Sequence, residues 1–188
     1  TEGLVVRTLD LARALPAPRL ADVGTGSGAV AVALAKHLPA ATVVATDISP
    51  EALAVAQGNV ERHGVAGRVS LVRCDLLDHP AAAGPFDIIV ANPPYVREDE
   101  VATLPRDVRD HEPALALVAG PTGLEVVERL VSASLPRLAP GGWLLVEIGP
   151  STAAAAEACL RALAGFEPGP TIRDGAGLPR IVQARRAP

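Results

Sequence analysis

The spacing of hydrophobic and polar residues divides the chain into alternating strands and helices. Short apolar runs rich in valine and isoleucine indicate buried strands, and longer stretches with helical spacing indicate amphipathic helices. Ser49 and Pro50 suit the N-cap and the first position of one helix, and Pro140-Gly141-Gly142 is expected to end another. Strands are predicted at residues 19–23, 42–47, 68–73, 86–91 and 143–148, with weaker ones near 166–173 and 180–186, and helices at 1–15, 28–38, 50–63, 122–138 and 151–164.

This order predicts an α/β fold with a doubly wound, mostly parallel sheet and an antiparallel strand at its end. The length of 188 residues suits one domain spanning residues 1–188. Residues 92–120, rich in proline and charge, are predicted to form a long loop. Ligands of such sheets bind beyond the carboxyl ends of the strands. Because every motif described below falls at such an end, the sequence predicts one shared site.

Composition narrows the classes of function. Hydrophobic residues make up 49% of the chain and charged residues 20%, as in ordinary soluble domains. No apolar run reaches the roughly 18 residues that span a bilayer, so no membrane partner is expected. The net charge of −4 and the pI of about 5.5 weigh against duplex DNA as a partner. Cys74 and Cys159 lack metal-type spacing and are interpreted as free thiols of a cytoplasmic protein, with no metal site predicted.

A glycine-rich turn joins the first strand to the helix at 28–38. Gly24, Gly26 and Gly28 let the backbone adopt positive φ and pass close to a ligand. The G-x-G-x-G spacing differs from the G-x-G-x-x-G of dinucleotide sites. Asp22 and Thr25, with the three glycines, are candidate cofactor contacts, and Asp22 is expected to help hold an amino-acid group. The alternatives are a tight structural turn or a nucleotide fold of another kind.

Two acids at the ends of the next two strands are candidates for binding an adenosine group. Asp47 ends the second strand, where a carboxylate can accept hydrogen bonds from both ribose hydroxyls. Asp75 follows the third strand and is placed to bind the adenine amine. Their neighbours Ile48 and Leu76 are counted with them as cofactor contacts. The alternatives are a helix-start acid at position 47 and a solvated loop acid at position 75.

The tetrapeptide Asn92-Pro93-Pro94-Tyr95 follows the fourth predicted strand. Its prolines stiffen the loop and remove two N–H donors while leaving carbonyl acceptors. An amide or adenine nitrogen is a poor nucleophile because its lone pair is delocalised. The Asn92 side-chain oxygen and the Pro93 carbonyl can bind the two N–H groups of such a nitrogen and direct its lone pair at a methyl donor. Tyr95, the only tyrosine, can stack on the flat group. The alternative is a proline-rich turn.

Together these residues resemble the class I S-adenosylmethionine-dependent methyltransferases and, more narrowly, the HemK/PrmC family of protein-glutamine N5-methyltransferases. The resemblance covers nearly all of the chain, through the segments 1–5, 22–31, 92–96, 107–117, 120–124, 147–149 and 173–180. Two positions depart from the family pattern. Ser151-Thr152 stands where the family often has a glutamine, and His111 stands where an aromatic residue commonly precedes Glu-Pro.

The resemblance implies a Rossmann-like class I methyltransferase fold, with a mostly parallel seven-stranded sheet, helices on both faces and an antiparallel last strand. It implies S-adenosyl-L-methionine as cofactor and S-adenosyl-L-homocysteine as product. Asn92, Pro93 and Tyr95 become the catalytic residues, Asn92 also contacts the cofactor, and Pro94 and Glu112 join them in binding the substrate. The implied partner is a peptide chain release factor, methylated at the glutamine of its Gly-Gly-Gln motif.

Three functions stay open from the sequence. The first is a protein-glutamine methyltransferase, although the helical N-terminal domain with which bacterial members grip the release factor is expected to be absent. The second is an adenine-N6 methyltransferase acting on DNA or RNA, against which the acidic pI weighs. The third is a non-catalytic cofactor-binding subunit of a heterodimer, against which the intact Asn92 and Tyr95 argue. Residues 97–112 are either a lid over the substrate or a solvated loop.

Overall fold

A central sheet of buried strands lies between two layers of helices. The computed structural model describes residues 1–103 and 117–188. The helices are α1 Glu2–Ala12, α2 Ala29–His37, α3 Pro50–Arg62, α4 Glu125–Ser134 and α5 Ala153–Ala162, with short 3-10 turns at Pro80–Ala82, Glu98–Thr103 and Leu135–Arg137. The strands are β1 Arg19–Val23, β2 Thr42–Asp47, β3 Val69–Arg73, β4 Phe86–Ala91, β5 Val96–Arg97, β6 Val118–Gly120, β7 Leu138–Glu147, β8 Phe166–Pro168, β9 Ile172–Arg173 and β10 Pro179–Arg186.

The sheet has the strand order β3-β2-β1-β4-β7-β10-β8, and β9 pairs with β10 at its edge. The first five strands in this order pair in parallel, whereas β10 runs antiparallel to β7, β8 and β9. The predicted Rossmann-like α/β fold is therefore confirmed, including its antiparallel final strand. The sheet has eight strands rather than the predicted seven, because the segment predicted as one strand near residues 166–173 forms the two short strands β8 and β9. The carboxyl ends of the parallel strands share one edge. The chain reverses its direction of winding between β1 and β4, which is where open α/β sheets bind ligands.

Strand β4 shows how the core is divided between the two faces of the sheet. Ile88 and Val90 pack with α1, α2 and α3, while Ile89 and Ala91 pack with α4 and α5. This alternation is expected of a strand that is buried on both faces. None of the described helices is long and apolar enough to cross a membrane.

The fourth long helix ends earlier than predicted. Helix α4 stops at Ser134, and Leu135–Arg137 continues as a 3-10 turn that contains Pro136. A proline inside an α-helix removes one backbone hydrogen bond and clashes with the preceding turn. Pro140-Gly141-Gly142, predicted to end this helix, lies instead within β7.

The glycines of β7 sit at an irregularity between β4 and β7. The register shifts there, from Phe86 opposite Leu138 to Ile88 opposite Trp143. A Cβ atom on Gly142 would lie 2.9 Å from the Asp87 carbonyl oxygen. Glycine is therefore required where the two backbones approach closely. The Pro-Gly-Gly sequence that suggested the end of a helix instead forms a bulge in a strand.

The long loop predicted for residues 92–120 contains regular structure. Val96 of β5 lies opposite Val118 of β6, and the two short strands form a separate parallel pair. A two-residue strand has no periodicity that a sequence pattern can reveal. Glu112 and His111, and with them most of the family-like segment 107–117, lie outside the described residues.

The fold leads to a prediction for the centre of the sheet. Ile89 is fully buried in β4, so Ile89→Ala is expected to lower the free energy of unfolding by about 2–5 kcal/mol through lost burial and a residual cavity. The control Val55→Ala removes a side chain that is 56% exposed on α3, and should change stability by less than about 0.5 kcal/mol. Urea unfolding followed by circular dichroism measures both, and equal effects would contradict this account of the core.

Candidate active site

The glycine turn is held by two carboxylates from neighbouring strands. Asp22 Oδ2 accepts a hydrogen bond from Thr25 Oγ1 at 2.6 Å and another from the Ala31 backbone N–H at 3.0 Å. Asp47 Oδ2 accepts the Gly26 backbone N–H at 2.8 Å. The turn is thus tied to the start of α2 on one side and to the end of β2 on the other.

The three glycines of the turn are required on different structural grounds. All have positive φ, at 69° for Gly24, 56° for Gly26 and 79° for Gly28. A Cβ atom on Gly28 would lie 3.0 Å from the Ala56 side chain, so this position also allows α2 to pack against α3. A Cβ atom on Gly24 or Gly26 would meet no described atom within 4 Å. The described residues therefore leave open space above the turn, as a bound cofactor needs.

Asp22 lies beneath the turn rather than on its surface, with only 2% of its area exposed. Burial raises the pKa of this carboxyl to about 6, although its hydrogen bonds from Thr25 and Ala31 lower it, and the charge of Asp47 raises it further. The side chain predicted to hold an amino-acid group therefore makes two internal hydrogen bonds and supports the shape of the turn.

Asp47 and Ile48 lie at the end of β2, where an adenosine group was predicted. Asp47 Oδ1 accepts the Ser49 backbone N–H at 2.9 Å, and Ser49 in turn caps α3 through the Ala52 N–H, as predicted. Each carboxylate oxygen of Asp47 keeps a second lone pair, so both can still accept a ribose hydroxyl. Ile48 is an exposed apolar side chain beside them, suited to cover one face of a flat ring.

The loop after β3 is fixed by a buried threonine that the sequence patterns did not single out. Thr46 Oγ1 donates to the Leu76 carbonyl at 2.7 Å, and the Thr46 carbonyl accepts the Thr25 N–H at 2.9 Å. Leu76 has a positive φ of 50°, which is uncommon for a side chain of its type. Asp75 pairs with Arg129 of α4. Thr46 thus joins the glycine turn to the loop that carries two of the predicted cofactor contacts, Asp75 and Leu76.

The tetrapeptide begins where β4 ends. Val23 lies opposite Ala91, so Gly24 and Asn92 leave neighbouring strands at the same edge of the sheet. Asn92 Nδ2 donates to Thr1 Oγ1 at 3.0 Å, and no residue within 1–103 and 117–188 donates to the Asn92 side-chain oxygen, which can therefore accept from a ligand. Pro93 is buried and Pro94 half-buried behind it.

The Tyr95 ring packs against a second element that the sequence patterns did not assign to the site. A Cβ atom on Gly149 would lie 3.1 Å from Tyr95 Cδ2, so the absence of a side chain after β7 makes room for the ring. Burial and the nearby Glu147 carboxylate raise the pKa of the Tyr95 phenol, while Arg180 lowers it. Glu147 and Arg180 belong to the segments of family resemblance, but only the pairing of β7 with β4 and β10 places them beside Tyr95.

The structure thus gathers the predicted contacts at one edge of the sheet, with Glu112 outside the described residues. The glycine turn, Asp47, Leu76 and the tetrapeptide follow β1, β2, β3 and β4 in turn. Within residues 1–103 and 117–188, no group of three potential metal-ligating side chains is close enough to hold an ion.

The sequence model of the methyltransferase small domain family matches residues 3–106, which is more than half of the chain. The chain belongs to this family. The solved structure of a ribosomal protein L11 methylase from Lactobacillus delbrueckii subsp. bulgaricus superposes with a TM-score of 0.69 and 25% sequence identity, covering 100% of this chain and 79% of that one. The fold and the family thus agree on a methyltransferase domain.

Relatives with higher identity carry a more specific name. The release factor glutamine methyltransferase of Bradyrhizobium diazoefficiens is 44% identical over 100% of this chain, and that of Rhodopirellula baltica is 40% identical over 100%. The chain spans 64% of the length of either relative. The resemblance to protein-glutamine methyltransferases that the motifs indicated is confirmed by these relatives.

The buried Asp22 carboxyl leads to a prediction about pH and stability. Its pKa in the folded chain, about 6, lies above the ordinary 3.8, so folding disfavours the ionised form. Stability is therefore lost as the pH rises from about 4 to about 6, by an amount on the order of 3 kcal/mol. Asp22→Asn should remove this decline.

Urea unfolding of the Asp22→Asn variant and the parent chain at several pH values between 4 and 7 measures the effect. The control Asp10→Asn changes a half-exposed acid on α1 and should keep the parent's pH dependence. The same decline in stability in all three proteins would contradict the assignment to Asp22.

Proposed function

We propose that this domain transfers a methyl group from S-adenosyl-L-methionine to the side-chain amide nitrogen of a glutamine in a protein. The observation that carries the proposal is the position of Asn92-Pro93-Pro94-Tyr95 beside the glycine turn, with the Asn92 carbonyl oxygen free to accept. This arrangement suits a flat nitrogen acceptor held next to a cofactor. The names of the relatives favour glutamine over adenine as that acceptor.

The residues at the strand ends fit the proposed cofactor. The cofactor supplies a methyl group activated by a sulfonium, and the chain's part is to bind and orient it. The open space above Gly24 and Gly26 receives its amino-acid part, Asp47 binds the ribose hydroxyls, and Ile48 covers the adenine. The full set of proposed contacts is Gly24, Thr25, Gly26, Gly28, Asp47, Ile48, Asp75, Leu76 and Asn92, and the buried Asp22 contributes by supporting the turn from beneath.

The tetrapeptide is proposed to bind and orient the acceptor. Thr1 engages the Asn92 amide N–H, so Asn92 Oδ1 and the Pro93 carbonyl accept the two N–H groups of the substrate amide. Binding both hydrogens draws the nitrogen toward a pyramidal shape and frees its lone pair from the amide π system. Tyr95 stacks on the flat face of the amide, and Gly149 leaves room for its ring. Most of the rate enhancement then comes from positioning and electrostatics.

The proposed protein substrate is a peptide chain release factor, modified at the glutamine of its Gly-Gly-Gln motif. The support is the name shared by the two relatives, each of which extends beyond the length matched here. Such a substrate implies a role in translation termination in the cytoplasm. Residues 1–188 are the proposed catalytic unit, and Glu112 is a further proposed substrate contact.

The acceptor can be identified by offering the domain labelled S-adenosylmethionine with a release factor, its Gly-Gly-Gln→Gly-Gly-Ala variant, duplex DNA or RNA. Label is expected on the parent release factor alone, because only it presents the target amide. Label on nucleic acid but not on protein would overturn the proposal in favour of an adenine-N6 methyltransferase.

Cofactor binding and acceptor positioning should separate between two variants. Asp47→Ala is expected to weaken cofactor binding at least tenfold, because it removes the ribose acceptor and the support of the Gly26 N–H. Asn92→Ala is expected to lower kcat by a factor of about 100 or more while the Kd for S-adenosylhomocysteine changes by less than about threefold. Calorimetry and single-turnover assays measure both, and a comparable loss of cofactor affinity in the two variants would show that Asn92 has been assigned the wrong role.

A further inference from the structure

Glu147 lies beside the tetrapeptide although it is distant in sequence. Val146 of β7 is opposite Ala91 of β4, so Glu147 and Asn92 are the next residues of two neighbouring parallel strands. Both side chains reach Thr1. Asn92 Nδ2 lies 3.0 Å from Thr1 Oγ1, and Glu147 Oε2 lies 3.0 Å from the Thr1 amine. The carboxylate and the Asn92 amide therefore face the same small volume.

Glu147 has a buried acceptor atom, Oε2, that lies within ion-pair distance of Thr1 but accepts no hydrogen bond from a described residue. Its side chain is only 12% exposed, and the contact with the Thr1 amine lacks hydrogen-bond geometry. A buried acceptor without a partner is costly, and native proteins rarely leave one unexplained. A hydrogen-bond donor from a bound substrate would satisfy it.

Two cations lie near Glu147, the Thr1 amine and Arg180, and the second is engaged by another carboxylate. Arg180, the cation beside it, is held through its Nε by Asp174 Oδ2 at 2.8 Å. The charge of Glu147 nevertheless acts on this group, since it helps to raise the pKa of Arg180, and it also raises the pKa of the Tyr95 phenol. The carboxylate is thus within electrostatic range of the ring proposed to stack on the acceptor.

We propose that Glu147 is a catalytic residue whose Oε2 lies beside Asn92 Oδ1, shares with it one N–H of the acceptor amide, and then takes the proton that the nitrogen releases. The proposal rests on the methyl transfer proposed above. The nitrogen lone pair forms the new bond to the methyl carbon, and the electron pair of the broken carbon–sulfur bond stays on sulfur. The nitrogen returns to neutrality by losing one proton to Glu147, which passes it to water. A carboxylate at this place also favours positive charge arriving on the nitrogen.

The test compares Glu147→Gln with Glu147→Asp and the parent chain on a Gly-Gly-Gln peptide. Glu147→Gln keeps the shape but removes the charge and proton acceptor, and should lower kcat about 100-fold. Glu147→Asp keeps the charge and should retain at least ten times the kcat of Glu147→Gln. The Kd for S-adenosylhomocysteine should change less than about twofold in both. The control Glu61→Gln, on the exposed face of α3, should match the parent.

A second measurement needs no turnover. Tyr95 is the only tyrosine, so absorbance near 295 nm follows its ionisation directly. Removing the Glu147 charge should shift this titration to lower pH in Glu147→Gln, with Glu147→Asp close to the parent. Circular dichroism and the thermal midpoint verify that each variant is folded over the pH range used.

The outcomes separate the two proposals. A parent chain that methylates nucleic acid but no glutamine peptide defeats the proposed function, and the variants are then compared on that acceptor. Equal kcat in Glu147→Gln and the parent, on whichever acceptor the parent uses, defeats the role of Glu147. An unchanged Tyr95 titration in a folded Glu147→Gln also defeats it, since the carboxylate would then lie too far from the ring to act on it. If the variants lose cofactor affinity to the same extent as they lose kcat, Glu147 supports the structure of the site and has no catalytic role.

Discussion

The parallel pairing of β1 with both β2 and β4 is the constraint on which the site depends. Val23 lies opposite Thr46 on one side and Ala91 on the other, so three chain segments leave the sheet together. Parallel strands end at the same edge, and the loops that follow them must share the space beyond it. The glycine turn, the proposed ribose acceptor and the tetrapeptide are neighbours for this reason.

Hydrogen bonds across that edge turn neighbouring loops into one framework. The Asp47 carboxylate holds the Gly26 N–H, while Thr46 holds both the Thr25 N–H and the Leu76 carbonyl. Each bond joins loops that follow different strands. The loops at the strand ends therefore hold one another in position. This gives the site the pre-organisation that methyl transfer by positioning requires.

The charges at this edge are unevenly solvated. Asp22 is buried under the turn with a raised pKa, whereas Asp47 is half-exposed beside it. Glu147 is nearly buried at the other end of the edge, beyond the tetrapeptide. The charges of all three acids would stabilise a positively charged cofactor placed between them. When that cofactor loses its charge during transfer, the electrostatic interaction energy would change most at the least solvated carboxylate.

Most of the order of strands and helices can be predicted from the sequence, as can the glycine turn, the acid at the end of β2 and the tetrapeptide, because each is a local pattern. Periodicity, capping and turn chemistry act over a few residues. The sequence pattern misassigned Pro140-Gly141-Gly142 as a helix stop. A helix stop and a strand bulge use the same residue types, and only the pairing of β7 with β4 distinguishes them. The sequence pattern could not detect β5 and β6, whose pairing joins distant segments. That Thr46, Gly149 and Glu147 belong with the site follows from the folded chain alone, because their partners are set by strand register and packing.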